Sequence, residues 1–453
     1  MKKFLTLRNL QAKHLCMTQS LVIWVVITLV FNGCFSVHLS KIQMMDGETQ
    51  GIFTWNRVAE EALHHNPDLS QARFQVKSKV LSRNIAFGSY LPAADASFDR
   101  TYTKPVAAGP VKDSEKFNMG VTQPLFTGFK TTAEFLKAKK EWEAAKFAYM
   151  KTSANVRFLL RSAFVELLKQ KRLLKVNQNI AGRRHKNAEL IHLRYEAGRE
   201  HLGSDLRVQA ILDQANFEVR QTSRKIESKS LLLGRQMGGK FMNPFLIEGN
   251  LEEMVQDLPD SKPDFLAIAE ETPQVKNLIK TAESLKAAVV SAESSVYPQV
   301  NGTYDYGYSG ERFSNQRDQS SVALKVSLPL FHGGRNIEAI RKAKADYKAT
   351  FEQARSARDQ AVSDLADAWA TFQDAKELVK VRQKFLEASH KRAEIVKSEY
   401  ETGLVNFQDF DTTEQEISDS ERLYTQSLAD ALVQEANWNF VRGATLEDFA
   451  HVK

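Results

Sequence analysis

Residues 121–130, VTQPLFTGFK, return 205 residues later as residues 326–335, VSLPLFHGGR. Other landmarks keep nearly the same offset. Asn66-Pro67-Asp68-Leu69 stands 25 residues before Leu91-Pro92, as Thr272-Pro273-Gln274-Val275 stands before Tyr297-Pro298. Tyr195-Glu196-Ala197-Gly198 returns as Tyr400-Glu401-Thr402-Gly403. Anchors in register over more than a hundred residues make the chain a tandem duplication, so whatever one half folds into, the other half folds into again. The divisions expected are a first repeat over residues 52–236, a connector rich in Gly, Pro and Asp with short elements over 237–271, a second repeat over 272–443 and a tail over 444–453.

Each repeat has one order of elements. A helix is expected from about Leu69 to Tyr90 and from about Val275 to Val296. A strand follows each proline. Ala94, Ala96, Phe98 and Tyr102 alternate with Asp95, Ser97, Asp99 and Thr101, and Val300, Tyr304, Tyr306 and Tyr308 alternate with Asn301, Thr303 and Asp305. The return strands place Phe117, Met119 and Val121 against Asn118, Gly120 and Thr122, and Val322, Leu324, Val326 and Leu328 against Ser321, Ala323, Lys325 and Ser327. This period of two gives each strand an apolar and a polar face. Pro124 and Pro329 lack the N–H that a ladder needs and are expected to end their strands, with Gly128 and Gly333 turning the chain into a helix.

The helices after these turns are very long. From about Thr132 to Ala197, and from about Asn336 to Thr402, there is no proline and almost no glycine. Some 65 residues at ~1.5 Å each make a rod of about 100 Å. Leu160, Leu167, Leu174, Ala181, Ala188 and Tyr195 keep a spacing of seven, as do Leu365, Phe372, Val379, Leu386, Ala393 and Tyr400. Such a seam implies coiled-coil packing. Shorter helices, about Ser204 to Gln236 and Gln408 to Arg442, fold back antiparallel.

Charge and cysteine content narrow the classes. The formal charge of +7 owes four units to Lys2, Lys3, Arg8 and Lys13 in the acid-free residues 1–36, and no dense basic patch with aromatics follows. Nucleic-acid binding is not expected. That basic start precedes an apolar run at residues 21–31, LVIWVVITLVF, the length of an export-signal core and too short to span a bilayer comfortably. The cysteines, Cys16 and Cys34, lie in or beside it, so the body has no thiol chemistry. Phe31-Asn32-Gly33-Cys34 loosely resembles a bacterial lipobox with Cys34 as the acylated residue; the alternative is plain cleavage nearby, for example after Ser36.

Four strands are too few to close a barrel. An open edge in lipid leaves peptide groups unsatisfied at several kcal/mol each, so if these strands cross a bilayer, more than one copy must pool them.

The ordered motifs resemble the TolC family of bacterial outer-membrane efflux proteins. The residues that carry this are Asn66-Pro67-Asp68-Leu69, the paired Pro-Leu-Phe-x-Gly turns and the two Tyr-x-x-Gly hairpins, above all the run from Tyr400 to Asp409, YETGLVNFQD. The resemblance implies a mainly α fold with a small β part. Duplicated β-hairpins would form a trimeric twelve-stranded outer-membrane barrel continuing into a periplasmic α-helical tunnel. It implies a homotrimer in outer-membrane lipid, a periplasmic membrane-fusion adaptor and an inner-membrane transporter, proton-driven or ATP-driven, in an efflux or type I secretion system. It implies no cofactor and no catalysis. By motif, Tyr400 and Asp409 match the family's gate tyrosine and first gate aspartate, while Thr412 and Val405 stand where a second aspartate and an arginine are usual. Asp411 is a candidate for the missing charge, and Ser204 matches the first-repeat position. The hairpin tips, with Gly198, Gly203, Gly403 and Asn406, are the expected adaptor-docking edge, and the polar strand residues Asp95, Asp99, Asn301, Asp305 and Lys325 are expected to face the lumen.

An enzyme is disfavoured, because no HExxH, GxSxG or phosphate loop occurs. His64, His65, His185 and His192 lack the companion ligands of a metal site. The rival class is a periplasmic structural coiled-coil protein without channel activity.

Overall fold

A computed structural model describes residues 53–104, 112–239, 246–256, 263–311 and 317–450. The expected export signal and Cys34 lie outside these residues. The described residues fall within one compact unit, Gln50–Lys453. In chain order the elements are α1 (Trp55–His65), α2 (Pro67–Gly88), β1 (Ala93–Thr103), β2 (Lys112–Phe126), α3 (Lys130–Glu196) and α4 (Leu202–Met237). The short helices α5 (Leu251–Gln256) and α6 (Phe265–Glu271) follow. The second repeat runs α7 (Pro273–Glu293), a 3-10 turn (Ser294–Val296), β3 (Gln299–Glu311), β4 (Arg317–Ser327), α8 (Arg335–Thr402), α9 (Phe407–Val441) and α10 (Leu446–Ala450).

The long helices fall where proline and glycine leave room for them. Pro67 and Pro273 occupy the first turns of α2 and α7, where a missing N–H costs nothing, and Asn66 caps α2 by accepting from the amides of Asp68 and Leu69. Gly333 and Gly334 lead into α8 with φ of 61° and 77°. At the equivalent first-repeat positions Gly128 (φ 62°) is followed by Phe129, the one described non-glycine residue with positive φ, at 69°. That conformation costs roughly 1 kcal/mol for a residue with a Cβ. The Phe129 ring is held edge-on to Phe126 at 5.4 Å and to Tyr297 at 6.2 Å.

The sheet is an antiparallel meander, β1-β2-β3-β4, joining both repeats through the β2–β3 pair. Pro329 lies beyond the end of β4, as expected. Pro124 does not end β2, which continues to Phe126 through an irregularity between Pro124 and Phe126. The proline is tolerated because β1 pairs with β2 only as far as Ala93 opposite Thr122, and the ladder shifts register there.

The seven-residue seam is buried along most of its length: Leu160, Leu167, Ala188, Leu365, Phe372, Val379, Ala393 and Tyr400 are all core residues. Leu174, Ala181 and Leu386 are half-buried, and Tyr195 is exposed where its twin Tyr400 is buried. The main core lies around the middle of the rods, where α1, α5 and α10 add Val58, Ala62, Leu251 and Leu446 to Leu160, Phe164, Leu428 and Leu432. Helix α5 is one of the short elements expected in the connector, whereas α1 and α10 were not anticipated. Phe53 joins this region by a parallel bridge to Ile247. Among the described residues no helix is long and apolar enough to cross a membrane.

Candidate functional site

The sheet supplies two chemically distinct faces. Residues opposite one another in a ladder share a face, so Phe98, Phe117 and Tyr308 form one row that ends on Asp318, Ala96, Met119, Tyr306 and Ser320 the next, and Ala94, Val121, Tyr304 and Val322 a third. Phe117 stacks on Tyr308 at 5.5 Å. From Tyr308 to Val300 this face spans about 27 Å along the strand at ~3.4 Å per residue. A tilt of about 40° leaves roughly 21 Å, near the ~25 Å apolar band of a membrane barrel. Beyond the aromatic row, Arg100 reaches Asp113 at 2.8 Å and begins a charged rim. At the other end a second aromatic group, Phe87, Tyr90, Phe126, Phe129, Phe135 and Tyr297, stands where strands meet helices.

The opposite face carries every residue expected to face a lumen. Asp95 pairs with Gly120 and Gly120 with Asp305, so two carboxylates share one row. Asp99 lies in the row of Lys116, and Asn301 opposite Lys325. Gly120 makes room here, since a Cβ on it would lie 2.9 Å from the Asp305 carboxylate. Among the described residues the outer edges of β1 and β4 have no neighbour, and both strands are exposed along their whole length.

At the far end of the rods, the α3–α4 and α8–α9 turns lie together. Tyr400, near the end of α8, stacks on Phe410 of α9 with ring centroids 4.7 Å apart and planes 9° from parallel. Arg194 covers the Tyr400 ring at 4.4 Å. The phenol donates to Glu200 Oε2 at 2.9 Å. Burial pushes the Tyr400 hydroxyl up, and the Glu200 carboxylate adds to this against Arg194. Burial opposes the charge on Glu200 as well, but hydrogen bonds from Tyr400, Ser204 and the His201 amide outweigh it and hold that carboxyl below its ordinary value.

Asp411 is buried and accepts from Arg184 of α3 at 3.3 Å and from Arg207 of α4 at 2.9 Å. Arg184 also donates to Gln415 at 3.1 Å. Farther along the same helices Arg183 grips Glu421 with two bonds of 2.9 and 2.8 Å, and Arg422 pairs with Glu218 and reaches Asn177 at 3.2 Å. These pairs tie the second-repeat helix α9 to the first-repeat helices α3 and α4.

The structure thus brings Tyr400, Ser204 and Asp411 into one hairpin region but separates their roles. Asp409 is exposed; only its backbone is engaged, donating to the capping Asn406 at 2.9 Å. Ser204 is buried in the first turn of α4, 3.1 Å from His201 Nε2. Gly198 (φ 69°) and Gly403 (φ 84°) make the left-handed turns of the two tips, while Gly203 lies within the first turn of α4. Glu200, Arg184, Arg194 and Arg207 were missed by motif reasoning. Among the described residues no cluster of three or more histidines, cysteines or carboxylates could hold a metal.

A family model of outer membrane efflux proteins matches the chain twice, over residues 58–239 and 267–438. Curated proteins offer no significant match. Solved structures share the fold. CusC, crystallised in a study of folding and transmembrane channel formation, has a TM-score of 0.78 at 12% identity, covering 85% of this chain and 91% of that one. VceC of Vibrio cholerae gives 0.73 at 19%, covering 86% and 96%. The open-state MtrE channel of Neisseria gonorrhoeae gives 0.74 at 16%, covering 87% and 89%. With both repeats matched, the chain belongs to the outer membrane efflux protein family.

Proposed function

We propose that the chain is the outer-membrane component of a tripartite efflux or type I secretion system, a passive conduit working with a periplasmic adaptor and an inner-membrane transporter. The observation that carries this reading is the four-stranded sheet with one apolar face and two open edges. Three copies joined β4 to β1 give twelve strands and no edge in lipid. The same chain leaves apolar side chains on the outer helices, Phe74, Leu81 and Ile85 of α2 and Ile337 and Phe351 of α8, for neighbouring copies to cover. In that assembly Asp95, Asp99, Asn301, Asp305 and Lys325 line the barrel lumen. If the export signal is cleaved just before Cys34, acylation of that residue adds a lipid anchor; cleavage after Ser36 leaves none.

The α3–α4 and α8–α9 hairpins form the periplasmic closure, held by Tyr400–Glu200 and by Asp411 with Arg184 and Arg207. Gly198, Gly203, Gly403 and Asn406 mark the edge offered to the adaptor, and Asp409 faces solvent there. The test is reconstitution in planar bilayers. The detergent-extracted protein is expected to form discrete, mostly closed channels whose conductance rises when the closure pairs are broken. A water-soluble single chain with no channel activity favours the structural coiled-coil reading.

A further inference from the structure

Helix α4 begins with a histidine where its twin α9 begins with an asparagine. His201 and Asn406 are equivalent in the duplication, and both side chains cap. Asn406 Oδ1 accepts the Asp409 amide at 2.9 Å, and His201 Nδ1 accepts the Ser204 amide at 3.2 Å. The two caps differ in one chemical respect. An amide oxygen accepts at any pH, whereas an imidazole nitrogen accepts only while it carries no proton. The His201 ring is therefore neutral in this arrangement, with Nε2–H directed at Ser204 Oγ, 3.1 Å away. Its side chain is 77% exposed, so solvent protons reach it.

The neighbours of His201 are those of the closure. Glu200 Oε1 accepts the His201 backbone amide at 3.3 Å and lies 4.0 Å from Nε2, while Glu200 Oε2 holds the Tyr400 hydroxyl. Arg194 lies over the Tyr400 ring. Asp411 of α9 is engaged by Arg184 and Arg207, and Glu401 of α8 presents its carbonyl to Arg194. The next histidine, His192, faces carboxylates: Asp205 at 3.2 Å and Glu196 at 3.5 Å. Protonation therefore acts oppositely at the two sites. At His192 it adds attraction to two acids. At His201 it removes a cap acceptor, sets a cation at the positive end of a helix and offers Glu200 a partner that competes with Tyr400.

We propose that His201 is a proton-sensitive positioning residue of the periplasmic closure: neutral, it caps α4 and leaves Glu200 to Tyr400; protonated, it uncaps α4 and draws Glu200 away, loosening α3–α4 from α8–α9. This inference rests on the reading of these hairpins as the closure.

The experiment compares closed-state conductance in planar bilayers at pH 7.5 and 5.5 for wild type, His201→Asn and His192→Asn. Wild type is expected to conduct several-fold more at pH 5.5, His201→Asn to lose that rise because asparagine caps without titrating, and His192→Asn to retain it. A flat wild-type profile, a rise preserved in His201→Asn or a rise abolished in His192→Asn overturns the proposal. Should His201→Asn fail to assemble, amide hydrogen exchange of wild type over residues 201–210, corrected for intrinsic rates, decides: lost protection at pH 5.5 is expected, and unchanged protection overturns it. Tyr400→Phe at pH 7.5 tests the closure alone. If it raises conductance while wild type shows no pH response, the closure stands and the role of His201 falls.

Discussion

Asp411 of α9 accepts a hydrogen bond of 2.9 Å from Arg207 of α4, so an acid of the second repeat is held by a cation of the first. With Arg184 on its other oxygen, this carboxylate is buried and joins three helices. Breaking a buried ion pair costs about 3 kcal/mol, here because Arg184 stays desolvated without its counter-ion while Arg207 is exposed. Asp411→Asn is expected to lower the melting temperature of the detergent-solubilised protein by several degrees and to raise closed-state conductance in planar bilayers.

Tyr400→Phe keeps the stack on Phe410 and removes only the hydroxyl that Glu200 accepts. A hydrogen bond to a charged group contributes roughly 1.5–3 kcal/mol. Conductance is expected to rise, and to rise further with Asp411→Asn. Asp409→Ala, which alters an exposed side chain, is expected to change it far less in single-channel recordings.

The Glu200 carboxyl is held below its ordinary value, which fixes the sign of its pH dependence. Its stabilisation is fully present above the unfolded value, ~4.3, and is lost as pH falls through the folded one. In a His201→Asn background the melting-temperature gap between Glu200 and Glu200→Gln is expected to stay constant from pH 7 to about 5 and to close at lower pH. Thermal melts across that range check it.

Gly307 sits in β3 with the Phe117 carbonyl oxygen of β2 only 2.5 Å from where a Cβ would be. That neighbour is backbone, so Gly307→Ala must displace the ladder. Gel analysis of unheated samples is expected to show fewer oligomers. Gly120→Ala meets only the Asp305 carboxylate at the end of its side chain and is expected to be milder.

Asp95 and Asp305 share one row on the polar face, with no basic residue between them. Asp95→Asn with Asp305→Asn is expected to reduce cation preference, read as a smaller reversal potential in a salt gradient.

The rods, the four strands and both strand faces were legible because duplication reports each signal twice and the periods of two and seven are long-lived. The centre of the molecule was less so. Helices α1, α5 and α10 are short and take their place by packing Val58, Leu251 and Leu446 into a shared core, not from any strong local period. The strand end at Pro124 was misjudged because a proline costs little where a ladder shifts register, a fact of pairing invisible in the sequence.

Motif comparison found Tyr400 but not the cations around it. A signal for one of them existed. Along α3 the positions three after each seam residue read Ala163, Gln170, Asn177 and Arg184, all buried. Polar groups at interior positions of a coiled coil require partners. For Asn177 these are Thr222 and Arg422, and for Arg184 they are Asp411 and Gln415. Arg207 carried no such signal, since it is exposed on its own helix and meets Asp411 only once α4 and α9 are side by side.

Native mass spectrometry of the signal-processed protein extracted in mild detergent addresses the unpaired edges of β1 and β4 most directly. Three chains in one stable particle, falling apart only when the sheet is unfolded, is the result expected. A folded single chain, stable in water without detergent, would contradict the account.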